Sequence, residues 1–175
     1  MISALHREDL RKCLLALDAE LARDEVSGEV YLVGGAVMCL VFDARPSTAD
    51  MDALFLPSTQ VRRAAARVAA RLGLQPSWLN DAVKGYLSAA GEFTIYLELD
   101  HLRVFTAQPA YLLAMKCLAM RLGEEYHDMD DVRFLLRALN ISTYGEAMEV
   151  LEKYYPVERF PQKTLYVLEE LLGAP

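Results

Sequence analysis

The sequence predicts an α/β (α+β) protein in which a small mixed β-sheet, flanked by helices, precedes a helical C-terminal lobe. Three observations carry this. Residues 30–56, VYLVGGAVMCLVFDARPSTADMDALFL, hold apolar runs of strand or short-helix length punctuated by Gly34-Gly35 and by the turn Arg45-Pro46-Ser47-Thr48. Residues 93–100, FTIYLELD, alternate apolar and polar side chains with the period of a strand. After Pro109 the apolar residues recur at helical spacing. With 175 residues, 54% of them hydrophobic, the chain can bury a real core. Its length predicts a single domain, 1–175, in two parts: a sheet-bearing core with an N-terminal helix at 1–106, and a helical lobe at 107–175.

In chain order, residues 3–23 space Leu5, Leu10, Leu14, Leu15, Leu17 and Leu21 close to the period of an amphipathic helix. Ser27-Gly28 punctuates, Val30–Val33 forms a buried strand, and 36–42 suits a helix that Pro46 helps to end. The next strand carries Asp50 and Asp52. Ser58 is placed as the N-cap of a helix that stops at Gly73, with Arg63, Arg67 and Arg71 as a basic stripe. Such a stripe is either a solvated face or a surface for RNA, DNA or a triphosphate. Trp78 reads as a core or lid residue, Asn80 as a cap or a group at a site mouth beside Lys84. The strand at 93–100 places Phe93, Ile95, Leu97 and Leu99 on one face. Helices follow at 111–122, 129–139, 143–154 and 162–172.

Composition excludes several classes. A net charge of −7 argues against a protein that coats nucleic acid indiscriminately. Cys13, Cys39 and Cys117 lie in apolar stretches without CxxC spacing, so they read as reduced core thiols, and a cytoplasmic location follows. No apolar run approaches the roughly 18 residues of a membrane span, so no membrane partner is expected.

The chemistry concentrates at 34–52. On a strand, residues two apart share a face, so Asp50 and Asp52 present two carboxylates side by side. Hard oxygen donors suit Mg²⁺, which keeps several waters and completes its shell with substrate phosphates. Gly34 and Gly35 permit φ > 0 and close approach of a phosphate. The bland alternative is an edge strand with solvated acids. Leu54 and Leu56, which continue the acids' own face as apolar residues, argue for a semi-buried pocket. Lys116, set among Leu112, Leu113, Ala119 and Met120, is either a snorkelling lysine or a buried ammonium. Asp128 and Asp131 share a helix face and can pair with Lys116 or Arg121.

The order Val33-Gly34-Gly35-Ala36, Arg45-x-x-Thr48, then Asp50-x-Asp52 resembles the DNA polymerase beta-like nucleotidyltransferase superfamily. More narrowly, it resembles the small bacterial proteins grouped with AbiEii-type abortive-infection toxins. Residues 78–85, WLNDAVKG, and Tyr111-Leu112-Leu113-Ala114-Met115-Lys116 leading to Asp128-x-x-Asp131 agree with it. Gly35 stands where many relatives carry Ser. The resemblance implies a nucleotidyltransferase core that moves an NMP from an NTP to a hydroxyl acceptor, with tRNA or another RNA as acceptor. It also implies a toxin with an antitoxin partner. Asp50, Asp52, Lys116 and Asp131 are the implied catalytic residues, and Gly34, Gly35, Arg45 and Thr48 bind the nucleotide. Mg²⁺ or Mn²⁺ sits on Asp50, Asp52 and a third carboxylate from a neighbouring strand, Asp100 or Glu98. The alternative is a nucleotide-binding or protein-interaction module that keeps the fold without turnover.

Overall fold

A computed structural model describes residues 4–173. Its strands are β1 Leu5–His6, β2 Gly28–Val33, β3 Ser47–Thr48, β4 Met51–Leu56, β5 Leu79–Asn80, β6 Phe93–Glu98 and β7 Leu102–Ala107. Its helices are α1 Arg7–Arg23, α2 Gly34–Leu40, α3 Ser58–Leu72, α4 Pro109–Leu118, α5 Asp128–Ala138, α6 Tyr144–Tyr154 and α7 Gln162–Leu172, with 3-10 turns at Ala82–Tyr86 and Val157–Arg159. The class is α/β, as predicted. The predicted first helix loses its opening residues: Leu5 and His6 form a strand instead, and Ser3 lies outside the described residues.

Two compact units emerge. The first holds the chain up to Gly85 together with Phe93–Ala107; the second holds Tyr86–Glu92 and everything from Gln108 on. The sequence placed the boundary at 106/107, one residue early, and missed that residues 86–92 belong to the helical unit. Hydrogen bonds tie that segment there: Ser88 Oγ donates to Tyr154 O at 2.6 Å, Tyr111 Oη accepts from Ser88 N at 2.9 Å, and Tyr155 Oη donates to Tyr86 O.

In the first unit the sheet order is β5-β4-β2-β7-β6. Central β2 runs antiparallel to β4 and parallel to β7, β5 runs parallel to β4, and β6 antiparallel to β7. Alternation sorts the faces. Val30, Leu32, Met51, Ala53, Phe55, Leu102 and Val104 are buried on one face. Helices α1 and α3 pack together and contribute Leu10, Leu14, Leu17, Leu21, Val61 and Val68 to the same core. Each such side chain, fully buried, contributes about 1.5–3 kcal/mol. Glu29, Tyr31, Asp52, Leu54 and Phe105 lie on the opposite face and keep partial exposure.

Two expectations in this unit are corrected. The strand at 93–100 does not keep one apolar face, because a register shift between Ile95 and Leu97 aligns them with Phe105 and Val104, residues on opposite faces of β7. It is an edge strand, and Ile95 is 50% exposed. Two of the three stripe arginines, Arg67 and Arg71, are paired with acids of α1, while Arg63 is exposed. Arg67 Nε donates to Glu20 Oε2 at 2.6 Å and Arg67 Nη2 to Asp24 Oδ2 at 2.7 Å, while Arg71 pairs with Glu20 at 3.2 Å. Glu20 is buried on α1, and the Arg67 hydrogen bond, against the opposing effect of desolvation and with help from the other arginines, holds its carboxyl below the ordinary glutamate range.

The second unit is helical. Helix α4 is buried from Tyr111 to Leu118 and packs against α5 and α6. A Thr143/Glu146 capping box starts α6. Rings of Tyr111 and Tyr154 stack at 5.1 Å. All three cysteines are buried thiols outside any disulfide, and burial pushes Cys13 and Cys117 up to about 11 and about 12, which disfavours the reactive thiolate. Among the described residues no helix is long and apolar enough to cross a membrane.

Candidate nucleotide and metal site

The site forms where β2 ends and β4 begins, because the antiparallel register pairs Val33 with Asp52. The chain turns straight from β2 into α2 at Gly34, whose φ of +66° is the left-handed region that disfavours any side chain. A Cβ built on Gly34 would stand 3.3 Å from Asp52 Oδ2, so the Asp52 carboxylate lies directly against this bend. At Gly35 a Cβ would meet Arg45 Nη1 and Thr48 Oγ1, each at 2.7 Å. Gly35 is thus small because a guanidinium and a hydroxyl already fill the space over it.

Asp50 joins through Asn80. Parallel β5 pairs Asn80 with Asp52, so the two side chains share a face, and Asn80 Nδ2 donates to Asp50 Oδ2 at 3.3 Å. Both acids therefore look to the side that Asn80 occupies, and both are half-buried. Trp78 is a core residue: it is buried, and its Nε1 donates to Ala65 O at 2.9 Å. Asp81 binds Arg62 at 2.7 Å and Lys84 at 2.6 Å, and those two hydrogen bonds hold its carboxyl down to about 2. Lys84 is committed to that pair.

The Arg45–Thr48 loop is pinned by a feature the sequence reading missed. β1 pairs antiparallel with β3, Leu5 opposite Thr48 and His6 opposite Ser47. The His6 ring reaches Pro46 O at 2.9 Å. Arg7 Nε and Nη2 donate to Cys39 O and Leu40 O at 3.2 and 3.1 Å, closing the C-terminus of α2. Two-residue strands carry no periodicity, so no pattern could have revealed this ladder.

Asp100, expected to be a third metal ligand, is not brought to this place, and neither is Glu98. β7 begins at Leu102 opposite Gly28, five residues from Val33 along β2, which puts Asp100 roughly 17 Å away at the other end of the sheet. Both acids are exposed there and line an open recess of about 610 Å³, whose Arg103 is paired with Glu29. Extending the register by one residue, the row across the sheet at the level of Asp52 reads Asn80, Asp52, Val33, Ala107, Phe93. It holds no further carboxylate.

Lys116 and Asp131 belong to the second unit and are bound to each other. Lys116 Nζ lies 2.7 Å from Asp131 Oδ2 and 3.3 Å from Asp128 Oδ1, and Asp128 also takes Arg121 Nε at 3.0 Å. All three of Lys116, Asp128 and Asp131 are buried. The ammonium is thus a partner in a buried ionic cluster, the role read for Asp131 from its spacing.

The residues at the β2–β4 end fit a Mg²⁺ or Mn²⁺ ion that arrives with a triphosphate. Asp50 and Asp52 supply hard oxygens beside the Gly34 bend, where Arg45 and Thr48 lie over Gly35. They do not form a self-sufficient cage: among the described residues no group of three or more His, Cys, Asp or Glu could hold a metal. Compared with known proteins, the chain matches no family model, no curated protein and no solved structure.

Proposed function

We propose that the first unit is the nucleotide site of a metal-dependent nucleotidyltransferase. The observation that supports it is one convergence: Asp52 against the Gly34 bend, Arg45 and Thr48 over Gly35, and Asp50 beside Asp52 through Asn80. Phosphoryl and nucleotidyl transfer consist mainly of positioning and charge neutralisation, and these are the groups that do both. The backbone at Gly34 and Gly35 and the Arg45 guanidinium bind the triphosphate tail. Asp50 and Asp52 would hold Mg²⁺ or Mn²⁺, which would supply charge neutralisation for the transfer. In the reaction the acceptor hydroxyl oxygen bonds to the α-phosphorus as the bond to the β-phosphate oxygen breaks, pyrophosphate leaves, and the hydroxyl proton passes to solvent. An RNA hydroxyl, on tRNA first, is the acceptor class. That acceptor and a toxin paired with an antitoxin protein rest on the resemblance of the motifs alone.

One observation favours a second reading, a nucleotide-binding module without turnover: the sheet row beside Asp52 provides no third carboxylate. Incubating the protein with labelled NTPs, Mg²⁺ and total RNA separates the two. The enzyme reading expects labelled RNA and pyrophosphate, both reduced at least about 100-fold by Asp50→Asn. Saturable NTP binding with no product supports the module, and absence of binding contradicts both.

A further inference from the structure

We infer that the open recess at the Glu98 end of the sheet is a docking surface for a partner protein, and that it takes an extended segment presenting a Lys or Arg and an apolar side chain. It is independent of the nucleotide-site reading above. Strand register builds the surface. Across the open face Glu98 stands opposite Arg103, Arg103 opposite Glu29 and Glu29 opposite Leu56, so one row reads acid, base, acid, apolar. Arg103 is committed to Glu29, which also accepts the Tyr31 hydroxyl at 2.6 Å. Glu98 and Asp100 line the recess and have no ion pair among the described residues, so the recess is left acidic. The turn that carries Asp100 is held in place: Asp18 Oδ1 accepts from His101 N, Gly28 N donates to His101 O and Leu99 N donates to Leu102 O, each at 2.8 Å. A partner therefore need not order this turn on binding.

The apolar part is continuous rather than scattered. The next row on the same face reads Ile95, Phe105, Tyr31, Leu54, with Ile95 50% exposed and the other three half-buried. Leu56, at the end of the charged row, is 47% exposed. Contiguous exposed apolar side chains rimmed by charge mark an interaction surface. Charge selects what covers it. A second copy of this chain, at net charge −7, would bring acids to acids, and a polyanion would be repelled in the same way. A small free cation would keep much of its surface in water in an open recess, whereas small-molecule sites enclose most of their ligand. A Lys or Arg delivered by a protein segment pairs with Glu98 and Asp100 while its neighbours cover the apolar row. Glu98 and Leu56 are three strand spacings apart, about 14 Å, which an extended chain spans in about four residues.

A phage-displayed library of random peptides, panned against the full chain, tests this, with the Kd of enriched peptides measured by fluorescence anisotropy. Enriched sequences are expected to carry Lys or Arg with an apolar residue about four positions away. Reversing both charges, Glu98→Lys with Asp100→Lys, is expected to weaken their binding at least about tenfold. Leu56→Ser is expected to weaken the same peptides at least about threefold. All three positions are exposed, so both variants should melt as wild type does. No enrichment, enrichment of acidic peptides, or Kd values within about twofold of wild type in both variants overturns the inference. So does displacement of the peptides by spermidine at equal affinity, which would make the recess a small-cation site, or a wild-type dimer in sedimentation that Leu56→Ser dissociates.

Discussion

Replacing Gly35 with alanine is expected to weaken binding of Mg²⁺ and a nucleoside triphosphate by at least about tenfold, a loss of about 1.4 kcal/mol. The new methyl carbon would stand 2.7 Å from both Arg45 Nη1 and Thr48 Oγ1. Thr48 cannot retreat easily, because its strand is paired with β1 and the preceding turn is held through His6 and Pro46. Arg45 must therefore swing away, which removes the guanidinium from the proposed phosphate position. Overpacking of this kind costs the fold about 1–3 kcal/mol, so the protein should still melt cooperatively. Gly145→Ala is the control: its Cβ meets nothing within 4 Å, so it should leave nucleotide binding unchanged. Equal binding by the Gly35 variant and wild type, measured by calorimetric titration, contradicts the assignment of Arg45 and Thr48 to the site.

Lys116→Met is expected to destabilise the protein by about 3–5 kcal/mol in urea denaturation, the usual result of leaving a buried charge without its partner. The variant takes away the ammonium 2.7 Å from Asp131 and 3.3 Å from Asp128, whose carboxylates are each less than a twentieth exposed. Converting Asp131 to leucine as well should recover much of the loss, since a well-packed apolar pair often replaces an ion pair at little cost. A loss under about 1 kcal/mol would mean that the cluster is better hydrated than its burial indicates. Acid should weaken the same cluster. Desolvation opposes the Asp128 charge, but the Arg121 hydrogen bond, the Lys116 charge and the Arg121 backbone amide outweigh it and hold the carboxyl below the ordinary aspartate range. A depressed folded-state value means that the stabilisation is present above the unfolded value and is lost as pH falls through the folded one.

The two main strands of the site were legible because their apolar runs are bounded by residues with strong local preferences. Gly34-Gly35 ends β2, and the turn at Pro46 precedes β4. The helical second half was legible from periodicity, to within a residue or two for α5, α6 and α7. The pairing of Asp128 and Asp131 with Lys116 and Arg121 followed from helix spacing. Helix α4 ended at Leu118, four residues before the expected stop, although apolar residues continue to Leu122. What escaped was set by tertiary contact. Arg67 and Arg71 look free on α3 until Glu20 arrives from α1, and Asp100 looks like a ligand until register sends it to the far end of the sheet. Asn80 was marked, yet its partner could not be chosen without the β4–β5 pairing.

The central claim is that a divalent ion enters with a nucleotide at the Gly34 end of the sheet. Paramagnetic broadening of backbone amide resonances by Mn²⁺, with a non-hydrolysable triphosphate present, locates that ion directly. The strongest broadening is expected at residues 33–36, 50–53 and 80, with Gly28 and residues 98–103, at the other end of the sheet, much less affected. Broadening centred on Glu98 and Asp100, or spread evenly over the acidic surface, would contradict it.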